Sequence, residues 1–163
     1  MFERLKKAFS AAPERPAPPN HEIFAVGDVH GRLDLLKRLL DQILDAATTQ
    51  RPELIFLGDY IDRGPQSREV IDLLIRDELG AFFQTSFLKG NHEATLLDFL
   101  DDPSVGPTWM QFGGAETLLS YGVRPPAFRG DEAGWAQASD ALRAALPSSH
   151  LAFYQGLTLS LER

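Results

Sequence analysis

The sequence contains no cysteine, which removes disulfides, thiolate catalysis and cysteine-ligated zinc from consideration. It has no apolar stretch approaching transmembrane length, and no uninterrupted hydrophobic region near its start that leads into a small-residue cleavage site. Stable membrane insertion is therefore not expected, and the cytoplasm is the expected location. Basic charge is also scarce: 16 Lys and Arg stand against 23 Asp and Glu, a net charge of −7. That balance argues against broad nucleic-acid binding, which needs clustered cations to release counterions. Histidine is rare as well, with four in 163 residues, so each can be weighed singly.

What remains is the composition of an ordinary globular chain, 44% hydrophobic and 24% charged, of a length that fits one domain. Residues 1–22 begin with the short basic stretch Met1–Phe9 and continue through Pro13, Pro16, Pro18 and Pro19, which reads as a flexible lead-in. Residues 23–163 read as the folded domain. Ile23-Phe24-Ala25-Val26, Leu54-Ile55-Phe56-Leu57 and Phe87-Leu88 are apolar runs suited to buried strands. Leu36, Leu39, Leu40, Ile43, Leu44 and Ala47 recur at helical spacing, and Ser67–Leu79 reads as a second helix stopped by Gly80. Glu93–Leu100, Asp131–Leu146 and a segment capped by Ser148 are further helices, and Leu157–Leu161 alternates like a strand. Strands alternating with helices predict an α/β fold on a parallel sheet, whose ligands gather at the carboxyl ends of the strands.

Each apolar run leads into a glycine-flanked motif: Gly27-Asp28-Val29-His30-Gly31, Gly58-Asp59-Tyr60-Ile61-Asp62-Arg63-Gly64 and Gly90-Asn91-His92-Glu93. Taken singly, each could be a capped turn with a surface histidine or an Asp–Arg pair. All three in order, each after a buried strand, outweigh that reading. Carboxylate, imidazole and amide oxygen are ligands suited to Mn²⁺, Fe or Zn²⁺ rather than Ca²⁺. Two such ions about 3.5–4 Å apart can activate a water and clamp a phosphate.

The three motifs resemble those of the calcineurin-like metallophosphoesterases, and more narrowly the bacterial serine/threonine phosphoprotein-phosphatase branch. Asp62-Arg63 and Glu93 favour that branch over the dinucleoside tetraphosphatases, and the segment Trp109–Gly122 is similar to its corresponding region. The resemblance implies a β-sandwich flanked by helices. It implies two divalent metal ions, Mn²⁺ foremost, held by Asp28, His30, Asp59 and Asn91, with Asp59 bridging. It assigns His92 as general acid oriented by Asp62, and Arg63, with Arg32 as a second candidate, to the phosphate. The implied reaction is attack of metal-activated water on a phosphomonoester of a phosphorylated protein or small molecule.

The family pattern continues with two further histidines that complete the metal shells, and the chain reaches Arg163 before either. The expectation is a domain incomplete at its C-terminus, with an uncovered sheet open to self-association. A dinucleoside polyphosphatase, another small phosphoester hydrolase, and an inactive metal- or phosphate-binding module are the alternatives. His21 is expected to be solvated, and His150 to be a helix-surface or packing histidine rather than a ligand. Trp109 fits core packing as well as the family segment, and Glu93 suits the helix N-terminus.

Overall fold

A computed structural model describes residues 22–162. The proline-rich lead-in up to residue 21, with His21, and Arg163 lie outside the described residues. Three short strands, β1 (Ile23–Val26), β2 (Glu53–Phe56) and β3 (Gln84–Phe87), form a parallel sheet in that order. Its register sets Val26 beside Phe56 and Phe56 beside Phe87. The three strands therefore end level, and the three loops that follow them leave the sheet along one rim. That registry is what converts three distant sequence motifs into neighbours.

Burial explains the strand sequences. Central β2 has Leu54 and Phe56 fully buried on one face, and Glu53 buried and Ile55 half-buried on the other, as a strand covered on both faces requires. Edge strand β1 alternates, exposing Ile23 and Ala25 while burying Val26. The connection from β1 to β2 is α1 (Leu33–Ala46), whose Leu36, Leu40 and Ile43 form a one-sided buried stripe. Between β2 and β3 the predicted single helix is two: α2 (Ser67–Leu74) and α3 (Asp77–Phe82). The break falls at Arg76, which is extended at ψ 138°, and Gly80 lies inside α3 rather than ending it.

After β3 come α4 (Asn91–Asp101), α5 (Gly106–Trp109), α6 (Gly114–Ser120), α7 (Glu132–Ala145) and α8 (Ser148–Gly156). Helix α4 starts two residues earlier than its apolar pattern indicated, so Asn91 and His92 occupy its first turn. Asp131 caps α7 by accepting the N–H of Gly134. Helix α8 returns to the sheet, where Phe153 meets Phe87 and Tyr60 with ring centroids 5.3 and 5.6 Å apart. Burial of such rings is worth roughly 1.5–3 kcal/mol each. Of the two expectations for His150, packing holds: buried, it contacts Tyr121 Oη at 2.9 Å and Asp72 at 3.0 Å. The terminal alternating segment contributes a single parallel bridge, Thr158 to Leu88. Among the described residues there is one sheet, and no helix is long and apolar enough to cross a membrane.

Candidate metal and phosphate site

The rim is sewn together by the backbone before any side chain acts. The N–H groups of Val29 and His30 both donate to the Asp59 carbonyl at 3.0 Å, and Gly31 donates to Tyr60 at 2.8 Å. The loops lie so close that a Cβ on Gly58, itself at φ +109°, would overlap the backbone of Gly90, and one on Gly90 would overlap the Asp59 carboxylate. Four non-glycine residues of the site occupy the left-handed region: His30, Asp59, Asp62 and Arg63, at φ 46°, 56°, 70° and 66°. Each such conformation costs about 1–3 kcal/mol and persists only where the surroundings enforce it. Two of the four, His30 and Asp59, place ligand atoms beside His92, and the other two, Asp62 and Arg63, contact the His92 ring.

His30 Nδ1 lies 2.8 Å from the Ile61 carbonyl. A carbonyl only accepts, so Nδ1 carries the proton and the Nε2 lone pair is free. Nε2 is buried without a hydrogen-bond partner, and Asp28 Oδ2 lies 3.4 Å away without hydrogen-bond geometry. Ligand atoms of His30, Asp59 and His92 all lie within 4.8 Å of one another. The unpartnered lone pair of His30 and the Asp59 carboxylate are donors that fit a divalent transition ion, with His92 Nε2 beside them. His30 and Asp59 were expected in that set. His92, expected as an acid, is brought into the same cluster. Asp28 touches His30 but its carboxylate is two-thirds exposed. Asn91 is exposed on the first turn of α4.

His92 is almost fully buried, and its Nδ1 donates to Asp62 Oδ2 at 2.6 Å. Asp62 is completely buried. Two further residues reach it: Trp109 Nε1 donates to Oδ2 at 2.7 Å, and Thr117 Oγ1 donates to Oδ1 at 2.6 Å. Trp109 therefore does more than pack. Arg63 Nη2 stands 3.4 Å from His92 Nε2. Arg32 points its guanidinium at Asp34, at 2.8 and 2.9 Å, and shares a recess of about 150 Å³ with Asp28.

Glu93 is the residue whose part the sequence reading missed. Beyond starting a helix, its buried carboxylate accepts N–H groups from Asp59, Tyr60 and Gly90. Burial pushes its pKa up, and those three bonds oppose the shift. The sequence signal available was the capping-box position three residues after Gly90.

The family model for calcineurin-like phosphoesterases matches residues 21–150. Serine/threonine-protein phosphatase 2 of Escherichia coli (strain K12) is 39% identical over 92 residues, which are 56% of this chain and 38% of that protein. Serine/threonine-protein phosphatase BSL2 of Arabidopsis thaliana is 36% identical over 77 residues, 45% of this chain and 8% of its own length. The cold-active protein-tyrosine phosphatase of a psychrophile Shewanella species superposes with a TM-score of 0.42 at 19% identity, over 88% of this chain and 52% of that one. The chain thus spans 38% or less of the length of these two curated relatives. With the family match running from before β1 into α8, the chain belongs to the calcineurin-like phosphoesterase family.

Proposed function

We propose that the chain carries the metal- and phosphate-handling part of a serine/threonine-phosphatase-type hydrolase that cleaves phosphomonoesters. The observation that supports this best is the buried Asp62–His92 pair, 2.6 Å apart, set against the His30 and Asp59 ligand atoms. On this reading Asp28, His30, Asp59 and Asn91 hold two divalent ions, Mn²⁺ foremost with Fe or Zn²⁺ suited as well. Bound ions supply an activated water and positive charge against the phosphate.

The chain's own residues do the rest. Arg63 donates its fork of N–H groups to non-bridging phosphate oxygens. That turn of the guanidinium leaves His92 Nε2 facing the leaving oxygen. His92 then gives its Nε2 proton to that oxygen as the P–O bond breaks, while Asp62 keeps the Nδ1 proton in place. The chain's similarity to serine/threonine-protein phosphatases favours a phosphorylated protein as substrate. Residues 23–163 act as one domain in this reading, located in the cytoplasm. Exposed Ile23 and Leu57 beside the sheet offer a surface for self-association.

The test is hydrolysis of p-nitrophenyl phosphate and a phosphoserine peptide by the purified chain with added Mn²⁺, beside His92→Ala. Mn²⁺-dependent turnover that falls in the variant by about 10²- to 10⁴-fold on the peptide supports the reading. Folded protein that binds Mn²⁺ but turns over neither substrate would leave the inactive binding module.

A further inference from the structure

We propose that Trp109 and Thr117 are positioning residues that fix Asp62, and through it the proton on His92; this rests on the hydrolase reading above. Every polar atom of Asp62 that could move is held. Oδ2 takes the indole N–H of Trp109 at 2.7 Å together with the His92 Nδ1–H at 2.6 Å. Oδ1 takes the Thr117 hydroxyl at 2.6 Å. The Asp62 backbone N–H donates to Thr117 Oγ1 at 2.9 Å and to Ser67 Oγ at 3.1 Å. Asp62, Trp109, Thr117 and Ser67 are all fully buried, so water cannot substitute for any of these partners.

Donor and acceptor roles then follow from chemistry. An indole N–H can only donate, so Oδ2 must accept. Thr117 Oγ1 accepts from a backbone N–H, so its own proton goes to Oδ1. With both oxygens committed as acceptors, His92 Nδ1 must be the donor, and Nε2 is the atom turned toward His30 and Asp59. The two supporting groups are themselves locked. Trp109 packs on Phe99 with centroids 5.1 Å apart, and a Cβ on Gly114 would press into its indole. Thr117 sits mid-helix on α6, beside Ser67 at 3.0 Å.

In the reaction a water oxygen bonds to phosphorus as the bond to the leaving oxygen breaks, and the His92 Nε2 proton passes to that oxygen. An alkoxide such as serine needs that proton; p-nitrophenolate leaves without much help. A fault in His92 orientation therefore shows selectively on the poorer leaving group. Trp109→Phe keeps the packing and removes the N–H. Thr117→Val keeps the shape and removes the hydroxyl, and Thr117→Ser restores it.

The experiment compares kcat on a phosphoserine peptide and on p-nitrophenyl phosphate for wild type, Trp109→Phe, Thr117→Val and Thr117→Ser, all loaded with Mn²⁺. In parallel, proton NMR of the metal-free, ¹⁵N-labelled chain follows the His92 Nδ1–H, identified by its loss in His92→Ala. Expected are a roughly 10- to 100-fold fall on the peptide with a much smaller fall on the aryl ester for Trp109→Phe and Thr117→Val. Near-wild-type values are expected for Thr117→Ser. The Nδ1–H signal should shift or vanish in the first two variants and persist in the third. Equal losses on both substrates, or an unmoved signal in folded Trp109→Phe and Thr117→Val, overturn the proposal. Were the wild type inactive, the hydrolase reading would fall, and the NMR signal alone would decide whether these residues fix His92.

Discussion

The Glu93 carboxylate accepts the backbone N–H groups of Asp59 and Tyr60 at 2.9 and 2.8 Å, tying the third motif to the second from inside the fold. Gly90 donates to the same carboxylate at 3.0 Å. Glu93→Gln would turn an amide NH₂ toward a backbone donor and leave a buried N–H unpaired. Such a loss costs about 1–3 kcal/mol. Denaturant unfolding should show a lower midpoint with an unchanged m-value; an unshifted midpoint would mean that the carboxylate does not brace the loops.

Metal binding separates the candidate ligands. His30→Ala and Asp59→Asn should each weaken Mn²⁺ binding by at least about tenfold, the scale reached when even an outer partner of a ligand is lost. Calorimetric titration of the metal-free variants measures this directly. A chelator should abolish turnover and Mn²⁺ should restore it. Full affinity in both variants would move the metal site elsewhere.

The two arginines should differ. Arg32 is paired with Asp34, whose carboxyl its hydrogen bond holds down at about 2, so that carboxylate is ionised at neutral pH. Among the described residues, the side-chain hydrogen-bond contact of Arg63 is with the His92 ring, at 3.4 Å from Nη2. Arg63→Ala should raise KM about 10- to 100-fold, as expected for a lost charged hydrogen bond of about 1.5–3 kcal/mol. Arg32→Ala should change it by a small factor. Steady-state kinetics on both variants decides, and equal effects would give Arg32 a share of the phosphate.

Alkali should unfold the chain through its tyrosines. All three are buried, and burial raises the pKa of Tyr60, Tyr121 and Tyr154 above the ordinary 10.0. A pKa raised in the folded state gives stability that is complete below the unfolded value and is lost as pH climbs beyond it. Tyrosinate absorbance should therefore rise together with the loss of helical circular dichroism above about pH 10. A tyrosine that titrates near 10 while the helices stay intact would contradict the buried placement.

Local patterning carried much of the fold. The apolar runs at 23–26 and 54–57 and the stripe of Leu36, Leu40 and Ile43 identify strands and helix because their periodicity reflects which face meets a core. The split at Arg76 and the early start of α4 were not legible, since helix ends depend on where the chain must turn. Among the site residues, proximity of the three motifs followed from parallel strands alone.

The sequence by itself determined the chemistry on offer: which carboxylates, imidazoles and arginines stand after which strands, with glycine where loops must pass closely. Only the tertiary structure decided how they are held. Trp109 and Thr117 lie 47 and 55 residues from the Asp62 they support, and Glu93 lies 34 and 33 from the Asp59 and Tyr60 N–H groups it accepts. Trp109 ends α5 and Thr117 lies in α6, so tertiary packing, which no local pattern encodes, brings both to Asp62. The left-handed backbone of His30, Asp59, Asp62 and Arg63 is of the same kind. Its cost is set by the residue itself, but the bonds that offset it come from the surrounding chain.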